Sequence, residues 1–248
     1  MGSRNPFQAP EVTSRRGGPA KEPLSRDAIV TAALELLRRE GPEGMSLRKV
    51  ASALDTGPAS LYVYVENLQE LQALVLDRAL SDVKTDGARG QGWQRRITAL
   101  LTSYLQVLFD TPGLASLALG TVAAGPNALR ITEALLGHLD EGGVDRATAA
   151  WAVDLLTLYV TAVAAEQSHR REGEDALGPI ARVIGAVSEK DHPRIFAARD
   201  DLLSGPGRVS WALEALLKGI LVTPRAKPAS RREPAAKAPS ARKPKRVR

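Results

Sequence analysis

The chain has 248 residues, 44% apolar and 25% charged, enough for a sizeable core. It has no cysteine, which excludes a disulfide scaffold, a thiolate metal site and a cysteine nucleophile. The net charge of +6 is unevenly spread: residues 225–248 carry +9 and residues 1–24 carry +2, leaving the middle at −5. Any nucleic-acid surface on the folded body must therefore be local.

Three histidines, His138, His169 and His192, are too scattered for a metal cluster, and no cofactor is expected. The opening residues have no apolar run and so predict no signal peptide. The most apolar stretch, 149–165, is short for a membrane span and contains Asp154. The expectation is a soluble cytoplasmic protein with no membrane partner.

Residues 1–23 mix Gly, Pro, Ser and Arg without periodicity and predict a disordered arm. Ser25 then caps a helix with Ala28, Ile29, Ala32, Ala33, Leu36 and Leu37 on one face, ending near Gly41-Pro42. Ser46 caps a short second helix, which Asp55-Thr56-Gly57-Pro58 breaks. Pro58 suits the first position of a third, expected over 59–64. A fourth runs over about 68–83. Trp93, Ile97, Leu100, Leu101, Tyr104 and Leu108 mark a fifth, ended by Pro112-Gly113. Further helices are expected over 114–123, 128–139, 144–171, 176–187 and 209–222, with a turn at His192-Pro193. The 144–171 helix is apolar nearly all round, which predicts burial on all sides. Residues 224–248 hold five prolines among Ala and Lys/Arg and predict a disordered basic tail. That tail suits either a solubilising extension or an arm that binds phosphates. No window alternates as a strand should, so the fold class is all-α.

The informative region is 46–71, SLRKVASALDTGPASLYVYVENLQEL. Two short helices joined by a tight turn form a helix-turn-helix, although the same spacing also suits an ordinary hairpin in a bundle. Leu47, Val50, Leu54 and Leu61 supply a small core, and Ala51 is small where the helices cross. Ala59, Ser60, Tyr62, Val63 and Tyr64 then face outward, towards a major groove and its phosphates.

At these residues the chain resembles the TetR family of bacterial transcriptional repressors. The resemblance covers about 24–83. It rests on the amphipathic first helix, the glycine before the second, the Ser-Leu-Arg-x-Val-Ala opening and the Leu-Tyr-x-x-Val-x-Asn run over 61–67. It implies a homodimer with a helix-turn-helix DNA-binding domain at 24–83 and a larger helical domain at 84–223 that binds a small-molecule effector and dimerises. The double-stranded operator would be met by Ser46, Arg48, Ala59, Ser60, Tyr62 and Tyr64. A guanidinium at Arg48 suits guanine, and the Ala59 methyl suits thymine. Four positions depart from the family pattern: Asp55 for a turn glycine, Thr56 for an apolar residue, Gly57 for a Ser/Thr cap, and Leu68 for a phosphate-binding lysine.

In the larger domain, Tyr104, His138, Trp151, Asp154 and Thr157 are the candidate effector contacts, the polar points of a mostly apolar pocket. The long helix and the last one, with Trp211, Leu213, Leu216 and Leu217, are the candidate dimer surface. The segment 112–121 is the expected link to the fourth helix. No enzyme motif is present: there is no paired-carboxylate motif, no nucleophile with its base and no glycine-rich phosphate loop. The alternative to a ligand-responsive repressor is a general DNA-coating protein that uses the basic tail.

Overall fold

Caps and breakers set the N-terminal helices. Ser25 Oγ accepts the Ala28 amide at 3.1 Å and opens α1, Arg26–Glu40. A 3-10 turn, Pro42–Gly44, leads to α2, Leu47–Ala53. Gly44 packs so closely on α1 that a Cβ there would lie 2.8 Å from the Leu36 carbonyl oxygen. α3 is only Pro58–Leu61; α4 is Leu68–Ala79, prolonged by a 3-10 turn over Leu80–Asp82. Then follow α5 Trp93–Asp110, α6 Leu114–Gly120, α7 Pro126–Glu141, α8 Arg146–Glu172, α9 Gly178–Gly185, α10 Pro193–Leu203 and α11 Arg208–Val222. The computed structural model describes residues 5–8, 24–86, 90–172, 178–203 and 207–225, and among these there is no strand.

Three boundaries differ from expectation. α3 stops at Leu61 because its carbonyl takes both the Tyr64 and Val65 amides, at 2.9 and 3.0 Å, closing a turn. The His192-Pro193 turn instead opens α10, with Pro193 as its first residue. α10 buries none of its residues, so its sequence carried no core-facing stripe to read. The arm 1–23 is not wholly without structure: residues 5–8 form a turn, and Phe7 packs on the core. The expected disorder of 9–23 and of 226–248 lies outside the described residues.

α8 packs on α5, α6, α7 and α11. Its inner stripe, Ala149, Ala152, Val153, Leu156, Val160 and Ala164, is buried. By length and composition Arg146–Ser168 would suffice to cross a membrane. That stripe, however, is core packing between helices. The outer stripe is bare, contrary to burial on all sides: Trp151 is 60% and Leu158 57% exposed.

The two groups of helices meet where α4 packs on α6 and α7. Asp77 of α4 is buried and acts as the cap that Gly125 cannot supply to α7. Its Oδ1 accepts the amides of Asn127 and Ala128, both at 3.0 Å, and its Oδ2 accepts Asn127 Nδ2 at 3.1 Å. One turn along α7, Arg130 donates to the carbonyls of Leu80, Ser81 and Val83 at 3.0–3.3 Å, satisfying the end of α4. α7 thus holds α4 at two points.

Candidate DNA-reading surface and effector core

The helix-turn-helix is built as its residue types require. Ser46 Oγ accepts the Lys49 amide at 3.3 Å and caps α2. Val50, Ala51 and Leu61 are fully buried, so α2 and α3 cross at the alanine as expected. Asp55 takes the turn position at φ 48°, the left-handed region that Asp tolerates better than most residues. The Thr56 amide returns to the Ala51 carbonyl at 2.9 Å. Gly57 caps α3 with no side-chain bond, and Pro58 fills its first position.

Arg48, Ala59, Ser60 and Tyr62 all lie exposed on this unit, with Val63 beside Tyr62. Tyr64 does not join them. It is 3% exposed, because the turn closed on Leu61 carries it under the helix into the core. Its phenol is therefore withdrawn from the reading set. Lys49, next to Arg48, is occupied: its ammonium donates to Glu40 Oε2 and to the Glu43 carbonyl, both at 3.0 Å. At the start of α4, Leu68 packs partly buried on the core. Asn67 Oδ1 accepts the Glu70 amide at 2.8 Å, and Glu70 Oε2 accepts the Glu66 amide at 2.7 Å. The first turn of α4 is thus capped by the chain's own side chains, a carboxylate among them. The Asn-x-x-Glu spacing was the sequence signal for this reciprocal cap.

The candidate effector residues divide. Tyr104 is 7% exposed, and its hydroxyl lies 3.0 Å from Thr161 Oγ1. Thr161 gives its own proton to the Thr157 carbonyl at 2.8 Å, so Tyr104 is the donor. Burial pushes the Tyr104 hydroxyl above the usual tyrosine range. Thr157, half-buried, spends its hydroxyl on the Val153 carbonyl at 2.8 Å. His138, on α7, has both ring nitrogens buried and no protein hydrogen-bond partner. The nearest carboxylate oxygen, on Glu141, is 3.9 Å away, and Glu141 is held by Arg96. Burial, and secondly the Arg96 charge, lower the imidazole pKa and so favour the neutral ring.

Trp151 and Asp154 leave this group. Both lie exposed on the outer stripe of α8, at i, i+3 spacing with Leu155 and Leu158 continuing it. Trp151, Leu155 and Leu158 on that stripe, and Trp211 of α11, 70% exposed, are bare apolar side chains on two helices that pack together. Leu213 and Leu217, expected on the same face, are instead buried in their own chain, on the opposite side of α11. Arg225 seals one end: its guanidinium stacks 4.1 Å from the Trp151 ring, and its amide donates to Thr148 Oγ1 at 2.7 Å. Among the described residues no cluster of His, Asp and Glu is placed to hold a metal.

Residues 29–71 match the bacterial regulatory proteins of the tetR family, and residues 86–199 match the tetracyclin repressor-like C-terminal domain. An HTH-type transcriptional regulator of Saccharopolyspora erythraea is 36% identical over 187 residues, 75% of this chain and 78% of that one. The chain belongs to the TetR family. It is a transcriptional regulator of the helix-turn-helix type, not of an enzyme family. The HTH-type transcriptional repressor DrrR1 of Streptomyces coeruleorubidus is 31% identical over 67% of this chain and 62% of its own length. ActR of Streptomyces coelicolor, solved in complex with actinorhodin, superposes with a TM-score of 0.73 at 32% identity, over 80% of this chain and 96% of that one.

Proposed function

We propose that the chain is a homodimeric repressor, released from its operator by a small apolar molecule bound among α5, α7 and α8. Residues 24–83 form the reading domain, and 84–223 the effector and dimerisation domain. Arg48, Ala59, Ser60 and Tyr62 meet the DNA. Tyr104 and His138 are the polar points of the effector site, with Thr157 beside them. The exposed stripe Trp151, Leu155 and Leu158, with Trp211, meets its copy in the partner. The protein acts on chromosomal DNA in the cytoplasm and catalyses nothing.

The observation that carries this reading is the double hold of α7 on α4. A ligand that shifts α7 moves Asp77 and Arg130 together, and so tilts the helix that backs the reading unit. α6, which packs on α8, α4 and the 3-10 turn at Pro42–Gly44, offers a parallel route. The ligand then favours one arrangement and the operator the other, so each weakens the other by the same factor. An actinorhodin complex of ActR supports an effector site in this fold, and His138 supports its place here, as a buried ring that its own chain leaves unpaired.

The test is selection of duplexes from a random pool by the full-length protein. The expected product is a two-fold symmetric sequence with half-sites about 34–36 Å apart, or a multiple of that. Arg48→Ala should lose about 1–3 kcal/mol on the selected duplex and far less on random DNA. Recovery of sequence-indifferent duplexes would overturn the reading in favour of a coating protein.

A further inference from the structure

Residues 5–8 lie far in sequence from the joint between the two domains, yet they sit on it. Phe7 packs against the core beside Gly125 and lines a cleft with Val30 of α1, Leu74, Asp77 and Arg78 of α4, and Pro126 and Asn127 at the start of α7. These helices belong to both domains. The turn is fixed locally by Asn5, whose Oδ1 accepts the Phe7 amide at 3.0 Å and whose carbonyl accepts the Gln8 amide at 3.2 Å. Gly125 makes room for the aromatic ring. A Cβ there would lie 2.6 Å from Phe7 Cε1 and 2.2 Å from the Asp77 carboxyl carbon. The same absent side chain thus admits both the Asp77 cap and Phe7.

Arg26 extends the contact to the reading unit. Its Nη1 donates to the Pro6 carbonyl at 3.3 Å, while Nε and Nη2 donate to the Tyr64 carbonyl, each at 3.2 Å. Tyr64 is in the turn that closes α3. One guanidinium therefore ties the N-terminal segment to the far end of the recognition helix, and Arg78, beside Phe7, pairs with Asp27 of the same α1.

We propose that residues 5–8 are a strap that fastens the reading domain to the effector domain. Phe7 is the plug over the Asp77–α7 cap, and Arg26 is the link that passes its docking to the recognition helix. A docked strap holds one relative orientation of the two domains. An undocked strap leaves the α4–α7 joint to its polar contacts alone. The strap therefore sets how stiffly the effector site is coupled to the reading helix, and the N-terminal segment acts inside the protein rather than on DNA phosphates.

Hydrogen exchange of the full-length protein tests this without DNA or effector, comparing wild type with Phe7→Ala and Phe7→Leu. In Phe7→Ala, the amides of Asn127 and Ala128 and those of residues 64–67 should exchange about tenfold faster, the factor that corresponds to 1.4 kcal/mol of local opening. Phe7→Leu, which keeps an apolar plug, should recover most of the protection. The buried amides of α5 and α8 should not change. Faster exchange confined to 24–30, or no change at the start of α7, would overturn the strap and leave Phe7 as local packing. On the selected duplex, whose existence rests on the repressor reading, Phe7→Ala should weaken binding several-fold with an unchanged salt slope. A lower slope would overturn the proposal by making the segment a phosphate arm. If no duplex is selected at all, the repressor reading fails while the exchange experiment still decides the strap.

Discussion

The reading domain is finished within one chain, and the effector domain is not. In the first, Ile29, Leu37, Val50, Leu61 and Leu71 are all fully buried, and α1, α2 and α4 each begin with a side-chain cap. In the second, α8 has two apolar stripes and the described residues cover only one. The α9–α10 pair is barer still, with Val183 68% exposed and no buried residue on α10. A small domain that reads DNA needs a rigid, self-sufficient frame. A domain that must respond to a ligand can draw part of its stability from a partner, and its rearrangement is then shared by both subunits.

The comparison breaks most sharply at the bare face. Leu158→Asp places a carboxylate in the middle of the outer stripe of α8 without touching the inner one. Its charge is tolerated by the free subunit and must be desolvated on pairing, a cost of several kcal/mol. The dimer dissociation constant should rise at least about 100-fold, read by sedimentation across a dilution series. Operator binding should collapse with it, because one subunit carries one reading head. A dimer as tight as the wild type would place the interface elsewhere.

A second test acts on the joint. Asp77→Ala leaves the Asn127 and Ala128 amides without their acceptor in a buried place, at about 2–3 kcal/mol of folding stability. Asp77→Asn keeps one acceptor oxygen, and Asn127 can turn its own amide to match it, so it should lose less than half as much. Denaturant unfolding measures both. A midpoint for Asp77→Ala within experimental scatter of wild type would mean that the cap does not hold the domains together.

What could be read beforehand follows the same division. In the reading domain local rules decide. Ser25, Ser46 and Pro58 start helices and Gly41 ends one, so the helix-turn-helix was legible almost to the residue. The exception, Tyr64, depended on where a four-residue helix stops. In the effector domain the decisive facts are tertiary. A helix apolar all round does not say which stripe its own chain covers, so Trp151 and Asp154 could not be told apart from interior positions. Asp77, an acid beside Arg78 near the end of α4, reads as a solvent-facing residue until α7 arrives over it. Phe7 sits in a segment whose composition argues only for disorder, and its partners are supplied by three helices distant in sequence.

A smaller effect is expected from His138. Its pKa in the folded protein lies below the ordinary value, first because of burial and then because of Arg96. Folding therefore favours the neutral ring, and the unfolded chain binds more protons as the pH falls through about 6.5. Stability should be full above that pH and decline below it, towards the lowered native value. In His138→Gln this part of the decline should vanish, seen as a flatter difference in unfolding free energy between pH 7.5 and pH 5.5. An unchanged pH profile would show that the ring is solvated in the folded protein.

The smallest effect is expected at the basic tail. Arg225 is held on Trp151 and Thr148, at the start of α8. That end of the domain adjoins the end of α7, and α7 spans about 24 Å from the joint at Asp77. Arg225, the root of the tail, thus lies at the end of the domain away from that joint. The tail's 23 residues beyond Arg225 reach at most about 75–83 Å when fully extended. With one cation engaged per subunit, removing 226–248 should lower the slope of log affinity against log salt by about two units. Affinity for the selected duplex at moderate salt should change by no more than a few-fold. Sequence preference should stay level, because a Lys/Arg/Pro arm makes no bidentate contact with base edges. A fall of five units or more would show three cations engaged on each subunit, and with them a path for the tail back along the effector domain to the operator.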